Sequence, residues 1–164
     1  ETGIELESGK TVEADVVVPA TGLELEVLGG VAFSVDGRPV DFAKTWTYKG
    51  LMYSDVPNLV QTFGYINASW TLRADLIADW TGRLLTAMDR RGARRVTPRL
   101  RPEDRAMKPR PWIADFSPGY IARVIDLFPR QGDREPWTNP QDYARERATI
   151  GRGPIEDGVL IFER

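Results

Sequence analysis

The groups in this chain best placed to do chemistry are backbone amides gathered at one point. Leu59-Val60-Gln61-Thr62-Phe63 reads as a strand that stops at Gly64, and a run with helical spacing begins after Tyr65-Ile66-Asn67-Ala68-Ser69. A strand, a glycine and then a helix start collect unpaired N–H groups. That helix end carries a partial positive charge, which suits an anion. Gly64 lets backbone approach a ligand closely, and Asn67, Ala68 and Ser69 stand where a ligand would meet the amides. On pattern alone an ordinary capped core helix fits as well. A second candidate is Thr21-Gly22, after the β-branched run Val16-Val17-Val18 and Pro19. Small residues where a sheet strand ends are the usual place for ligands in α/β folds; a plain turn reads equally there.

What the chain lacks narrows the chemistry further. Its 164 residues contain no His and no Cys. Ser-His-Asp catalysis, imidazole acid–base work, thiolate nucleophiles and the common zinc sites are thereby excluded, and no metal site is expected. A self-contained hydrolase would have to work with carboxylates, Lys and Tyr. Chemistry is therefore expected from a cofactor or from another segment. The composition is that of a globular domain, 41% apolar and 28% charged with net charge −2, which asks for neither nucleic acid nor an anionic membrane. No apolar run is long enough for a transmembrane segment, and the expected location is cytoplasmic.

These candidates need elements to position them. Ile4 to Val12, turning at Ser8-Gly9, and Val31 to Val40, turning at Asp36-Gly37, read as hairpins. Val16–Val18, entered by Asp15 acting as a cap, reads as a strand buried on both faces, as in a parallel sheet. Leu72, Leu76, Ile77, Trp80, Leu84, Leu85 and Met88 predict the apolar face of a long helix, started by Asn67 or Ser69 and stopped by Gly92. Residues 90–110 hold eight Arg and one Lys against Glu103 and Asp104, and read as an extended, solvated segment. Holding a nucleotide phosphate and binding nucleic acid are the alternatives there. Ser117-Pro118 and Asn139-Pro140 predict two short helices, ended by Pro129 and Gly151, and 159–162 predicts a last strand. Trp46, Tyr48 and Tyr53 read as aromatic core. Trp112 and Trp137 fall in proline-rich loops, where a ring is either packed or exposed to meet a ligand.

Three segments carry a resemblance: Ala14 to Leu23 with its Ala-Thr-Gly, Tyr48 to Leu59, and Gly64-Tyr-Ile-Asn-Ala-Ser-Trp-Thr-Leu72. In this order and spacing they resemble the C-terminal part of class B flavoprotein monooxygenases. The nearest likeness is to the Baeyer–Villiger type that includes the ethionamide-activating FAD-containing enzyme. The likeness extends to Phe116-Ser-Pro-Gly-Tyr120 and to Arg152-Gly153. It implies an α/β fold, part of a flavoprotein with two dinucleotide-binding domains, a mixed sheet, hairpins and several helices. It also implies the cofactors FAD and NADPH, and the start of the long helix facing the pyrimidine edge of the flavin. Residues 1–22 would end the NADPH-binding domain, 23–92 would be the C-terminal part of the FAD-binding domain, and 93–164 a C-terminal wrap.

The chain departs from the family pattern in three ways. No GxGxxG fingerprint occurs, so the phosphate-binding loops are expected upstream. The family's essential His must lie upstream or be absent. Related flavoproteins often end the strand in Gly-Asp, with the Asp on the ribityl chain; Gly64-Tyr65 stands here instead. The candidate cofactor contacts are therefore Thr21, Gly22, Gly64, Tyr65, Asn67, Ala68 and Ser69, with no catalytic side chain assigned. The expected activity of the intact protein is insertion of one atom of molecular oxygen into a ketone, or its addition to a sulfide or amine. The alternative is a stand-alone, non-catalytic binding or assembly module. A cut-out of this kind exposes apolar surface, and a homodimer of the chain by itself is the expected consequence.

Overall fold

The computed structural model describes residues 3–114 and 119–164. It is a mixed α/β arrangement built on small antiparallel sheets. The expected hairpins form: β1 (Gly3–Glu5) pairs with β2 (Thr11–Glu13), and β3 (Ser34–Val35) with β4 (Arg38–Pro39). Asp36 and Gly37 both have positive φ, 50° and 76°, the tight turn an Asp-Gly pair favours. A third hairpin joins β5 (Thr47–Tyr48) to β6 (Met52–Tyr53), and β7 (Arg95–Pro98) pairs with β8 (Leu160–Glu163) across the sequence. Among the described residues every sheet is two-stranded and antiparallel. The mixed sheet expected from the sequence is thus reduced to one isolated parallel bridge, Trp46 with Arg130.

The long helix, α1, runs from Trp70 to Arg91 and stops at Gly92, which is left-handed (φ 59°) and closes the last turn through its N–H to the Asp89 carbonyl. Its inner face carries Ile77, Trp80 and Leu84, as the periodicity predicts. Leu72 and Leu85 do not join them; both are exposed. The stripe is rotated toward Arg73, which is fully buried. Tyr48, Leu51 and Met52 from the third hairpin pack on this face with Val96, Trp137, Ile150 and Val159. Tyr48 sits between two indoles, its ring centroid 6.1 Å from Trp80 and 6.0 Å from Trp137. A smaller cluster, Phe42, Tyr53 and Val56, packs under Phe33 and Val40.

Several expectations fail for a common reason, namely that period and composition do not name the partner. Val16–Val18 form no strand, and Val16 and Val18 are 77% and 78% exposed. The run is β-prone but pairs with none of the described strands. Residues 59–63 also stay outside any ladder. Their backbone is tied instead to the third hairpin, Gln61 N–H donating to the Leu51 carbonyl at 2.8 Å. The arginine-rich stretch is not a solvated linker: it contains β7, with Val96 and Thr97 buried. Among the described residues four of its nine cations are ion-paired, Arg91 with Glu156, Arg95 with Glu163, Arg99 with Asp55 and Arg101 with the buried Asp104.

The short helices are α2 (Gly119–Ala122) and α3 (Tyr143–Glu146). The cap expected at Ser117-Pro118 and the Phe116-Ser-Pro likeness lie outside the described residues. Asn139 does not cap α3. Asp142 does, its carboxylate accepting from Arg145 N–H at 2.8 Å, and the chain leaves through a wide turn, Arg147–Gly151. Asn139 is buried and bonded elsewhere, because α3 begins one turn later than the Asn-Pro signal suggested.

Arg73 and Glu146 hold these parts together. The guanidinium and carboxylate meet in two parallel bonds of 2.9 Å, with side chains 0% and 1% exposed. Removing one partner leaves an uncompensated buried charge. We expect Arg73→Met or Glu146→Leu to lower unfolding free energy by about 3–5 kcal/mol, and the double variant to recover much of the loss. Urea midpoints of the four proteins check this. Gly92→Ala, forced into a left-handed cap, should cost about 1–2 kcal/mol in the same assay.

Candidate functional site

The start of α1 is positioned from behind. The Phe63 carbonyl accepts from Arg73 Nη1 at 2.9 Å, and Ile66 N–H donates to Gln141 Oε1 at 3.0 Å. Gly64 is buried, and the space a Cβ would need there is filled by the Trp70 indole. Its glycine is thus required by a side chain of the same chain. Ser69 occupies the cap position of α1 but makes no side-chain bond to the helix amides; its hydroxyl shares a 2.9 Å hydrogen bond with Thr71 Oγ1. Asn67, Ala68 and Ser69 are exposed. The first-turn N–H groups are left uncapped by side chains at an exposed helix start. That is the arrangement that accepts an anion or a carbonyl edge from outside.

Tyr65 points the other way. It is 3% exposed, its ring lies 5.8 Å from the Arg73 guanidinium and 6.3 Å from Tyr143. Burial pushes its phenol well above the usual tyrosine range. Tyr65 is thus an anchor that fixes the turn before α1. Thr21 and Gly22 are exposed, Gly22 in the left-handed region (φ 91°), and line an open cleft of about 450 Å³ with Tyr120 and Arg123. The seven candidates therefore fall into three places. Asn67, Ala68 and Ser69 share the helix start, Gly64 and Tyr65 lie beneath it, and Thr21 and Gly22 border a separate cleft.

Next to the helix start is a pocket that the sequence did not announce. Phe63 bridges the two, its centroid 5.0 Å from Trp70 and 4.6 Å from Trp112. Trp112 is stacked on Phe128 at 5.2 Å, and the pocket behind these rings, about 350 Å³, is closed by Leu28 and Ile121. Trp112 and Trp137 are thus not exposed loop rings; they are 2% and 0% accessible.

Comparison with known proteins places this geometry. Over all 164 residues the chain is 43% identical to a probable FAD-binding monooxygenase, AlmA, of Acinetobacter baylyi. Over 163 residues it is 44% identical to the FAD-containing monooxygenase EthA of Mycobacterium tuberculosis. The chain is a relative of the FAD-containing monooxygenases. A putative FAD-containing monooxygenase of M. tuberculosis, MymA, matches at 39% over 162 residues. These alignments take in 99–100% of this chain but only 32–33% of each monooxygenase, so the chain spans about a third of the length of the curated relatives it matches. No protein-family model matches, and neither does any solved structure.

A flavin fits what this chain offers in one respect. The uncapped, exposed amides at the start of α1 suit the electronegative edge of its ring. Nothing comparable serves a pyrophosphate: the chain has no glycine fingerprint, and α1 is opened by Asn67-Ala68-Ser69. Reasoning from sequence missed Arg73, Glu146, Asn139 and Gln141, the buried polar set that holds the helix start. Arg73 Nη2 bonds Asn139 Oδ1 at 2.9 Å, and Gln141 Nε2 reaches the same oxygen at 3.2 Å. The one available signal was an arginine three and four residues from Trp70 and Ile77, on the inward side of an amphipathic helix.

Buried phenols give this region a pH signature. Burial raises Tyr48, Tyr53 and Tyr65 above their ordinary value, and for Tyr48 the neighbouring Asp157 adds to it. A phenol raised in the folded state favours folding fully below the unfolded pKa of about 10, and that stability is lost as pH rises beyond it. Each should remove up to about 1.4 kcal/mol per pH unit above that point. Urea midpoints should fall steeply in alkali, and Tyr53→Phe, which removes a phenol with no hydrogen bond among the described residues, should make the fall shallower.

Proposed function

We propose that the chain is the C-terminal part of an FAD- and NADPH-dependent monooxygenase of the Baeyer–Villiger type, and that the start of α1 faces the flavin. The observation that carries this is the exposed start of α1, whose first-turn amides are capped by no side chain, in a chain 43–44% identical to FAD monooxygenases. When bound, the flavin supplies the redox chemistry with molecular oxygen. This chain supplies electrostatics: the helix start stabilises negative charge on the reduced ring, an effect strongest where water is excluded. Asn67, Ala68 and Ser69 are assigned to that contact. Gly64 and Tyr65 act behind it by fixing the turn. Thr21 and Gly22, bordering their own cleft, are assigned to the nucleotide side.

The same reading accounts for the exposed valines. Residues 1–22 would complete the NADPH-binding domain, where Val16–Val18 enter a parallel sheet supplied by the rest of the polypeptide. Residues 23–92 would finish the FAD-binding domain, and 93–164 would wrap it. Substrates would be small ketones, sulfides or amines. No described helix is long and apolar enough to cross a membrane.

The test uses the longer polypeptide that contains this chain. It should purify with bound FAD and consume NADPH and oxygen when given a ketone. The 164-residue chain alone should bind FAD weakly or not at all, and a yellow, stoichiometric preparation of it would overturn the division of labour. Ser69→Asp would cap the amides and place a negative charge beside the ring. It should lower the flavin midpoint potential by roughly 10–40 mV while leaving the thermal stability of the isolated chain unchanged or higher.

A further inference from the structure

One buried ammonium takes no part in the helix start or the pocket beside it. Lys49 is 6% exposed, and its Nζ lies 3.3 Å from Asp157 Oδ2. The same oxygen accepts from the Tyr48 phenol at 2.7 Å, and Asp157 Oδ1 accepts from Val159 N–H at 3.2 Å. Lys49 Nζ also reaches the Pro154 carbonyl at 3.5 Å and lies 5.2 Å from the centre of the Tyr48 ring. Glu135 and Arg83 are the other charges that act on the amine, and Arg101 is the further cation that feels Asp157. Burial pulls the Lys49 amine below its ordinary range, and Asp157 opposes that pull.

The carboxylate belongs to a segment with few other polar ties. Among the described residues, 153–158 make no backbone–backbone hydrogen bond to the rest of the chain. Side chains fasten them instead. Arg83 Nη1 donates to the Gly153 carbonyl at 2.8 Å, Arg91 pairs with Glu156 at the surface, and Ile155 joins the core. Exposed ion pairs contribute little. The pairing of Asp157 with Lys49 is the buried ionic tie, and the chain enters β8 directly after it.

We propose that residues 153–158 form a strap shut by charge: ionised Asp157 holds it on Lys49, and neutralising that carboxylate releases it ahead of global unfolding. An ammonium left in a buried site without its anion drives the strap outward, because only water can then solvate it. In acid, proton uptake by Asp157 performs the neutralisation. The mechanism has a signature. Loss of the carboxylate does harm only while the amine is there to be left alone.

The chain contains no Cys, so a single introduced thiol reports opening at one place. Ile155→Cys reports on the strap, and Ile77→Cys, in the buried face of α1, reports on global unfolding. Labelling by a disulfide reagent at pH 7 is compared with Asp157→Asn, Lys49→Met and both together in each background. Asp157→Asn should speed labelling at position 155 by roughly tenfold to a hundredfold and change position 77 far less. Adding Lys49→Met should return position 155 to near the parent rate. In acid, the Ile155 methyl resonances of the unsubstituted chain should move to exposed positions before those of Ile77. In Lys49→Met the two should move together. An unchanged rate at position 155, an equal rise at position 77, no rescue by Lys49→Met, or joint movement of Ile155 and Ile77 in the unsubstituted chain would each overturn the proposal. Should Asp157→Asn not fold, recovery of folding on adding Lys49→Met supports the clasp, and its absence overturns it.

Discussion

The buried pairing of Arg73 with Glu146 is the constraint around which the described structure is organised. Arg73 stands one turn into α1, and Glu146 closes α3 far along the chain. The guanidinium has no water to fall back on, so every N–H must find an oxygen. It finds the Glu146 carboxylate, the Phe63 carbonyl and Asn139 Oδ1. Each bond ties a different segment to the helix: the approach to Gly64, the loop before α3, and α3 itself. A pair like this adds little net stability over well-packed hydrocarbon, but it tolerates no change of register, because a displaced partner leaves a bare charge.

That rigidity matters at the other end of the same turn. The amides opening α1 are exposed and uncapped, a state that costs a helix stability when nothing outside uses them. The structure supports this exposed end from beneath, through Gln141 on Ile66, Trp70 over Gly64 and Tyr65 against Arg73. The proposed flavin contact needs such support, since electrostatic stabilisation works only when the dipoles are already aimed. The apolar pocket beyond Phe63 is built from the same aromatic set, so helix start and pocket share a wall.

The N-terminal stretch shows the opposite situation. Val16, Val17 and Val18 have the composition of a central parallel strand and lie in water. A strand is completed by neighbours, and a parallel one by neighbours distant in sequence. The chain spans about a third of the length of its monooxygenase relatives, and no described strand pairs with Val16–Val18.

What the sequence by itself determined was local. The Asp36-Gly37 turn, the stop of α1 at Gly92 and the inward set Ile77, Trp80 and Leu84 follow from backbone preferences and helical period, which act over a few residues. The exposed helix start at Asn67, Ala68 and Ser69 was legible for the same reason, as a glycine followed by a helix start. Only the tertiary structure decided that the arginine-rich stretch is a strand paired with β8, that Trp112 is a pocket wall, and that Arg73 rather than Leu72 faces inward. Those outcomes depend on which segment arrives as partner. Composition describes how a residue meets water, and it is silent on an oxygen arriving from the far end of the chain.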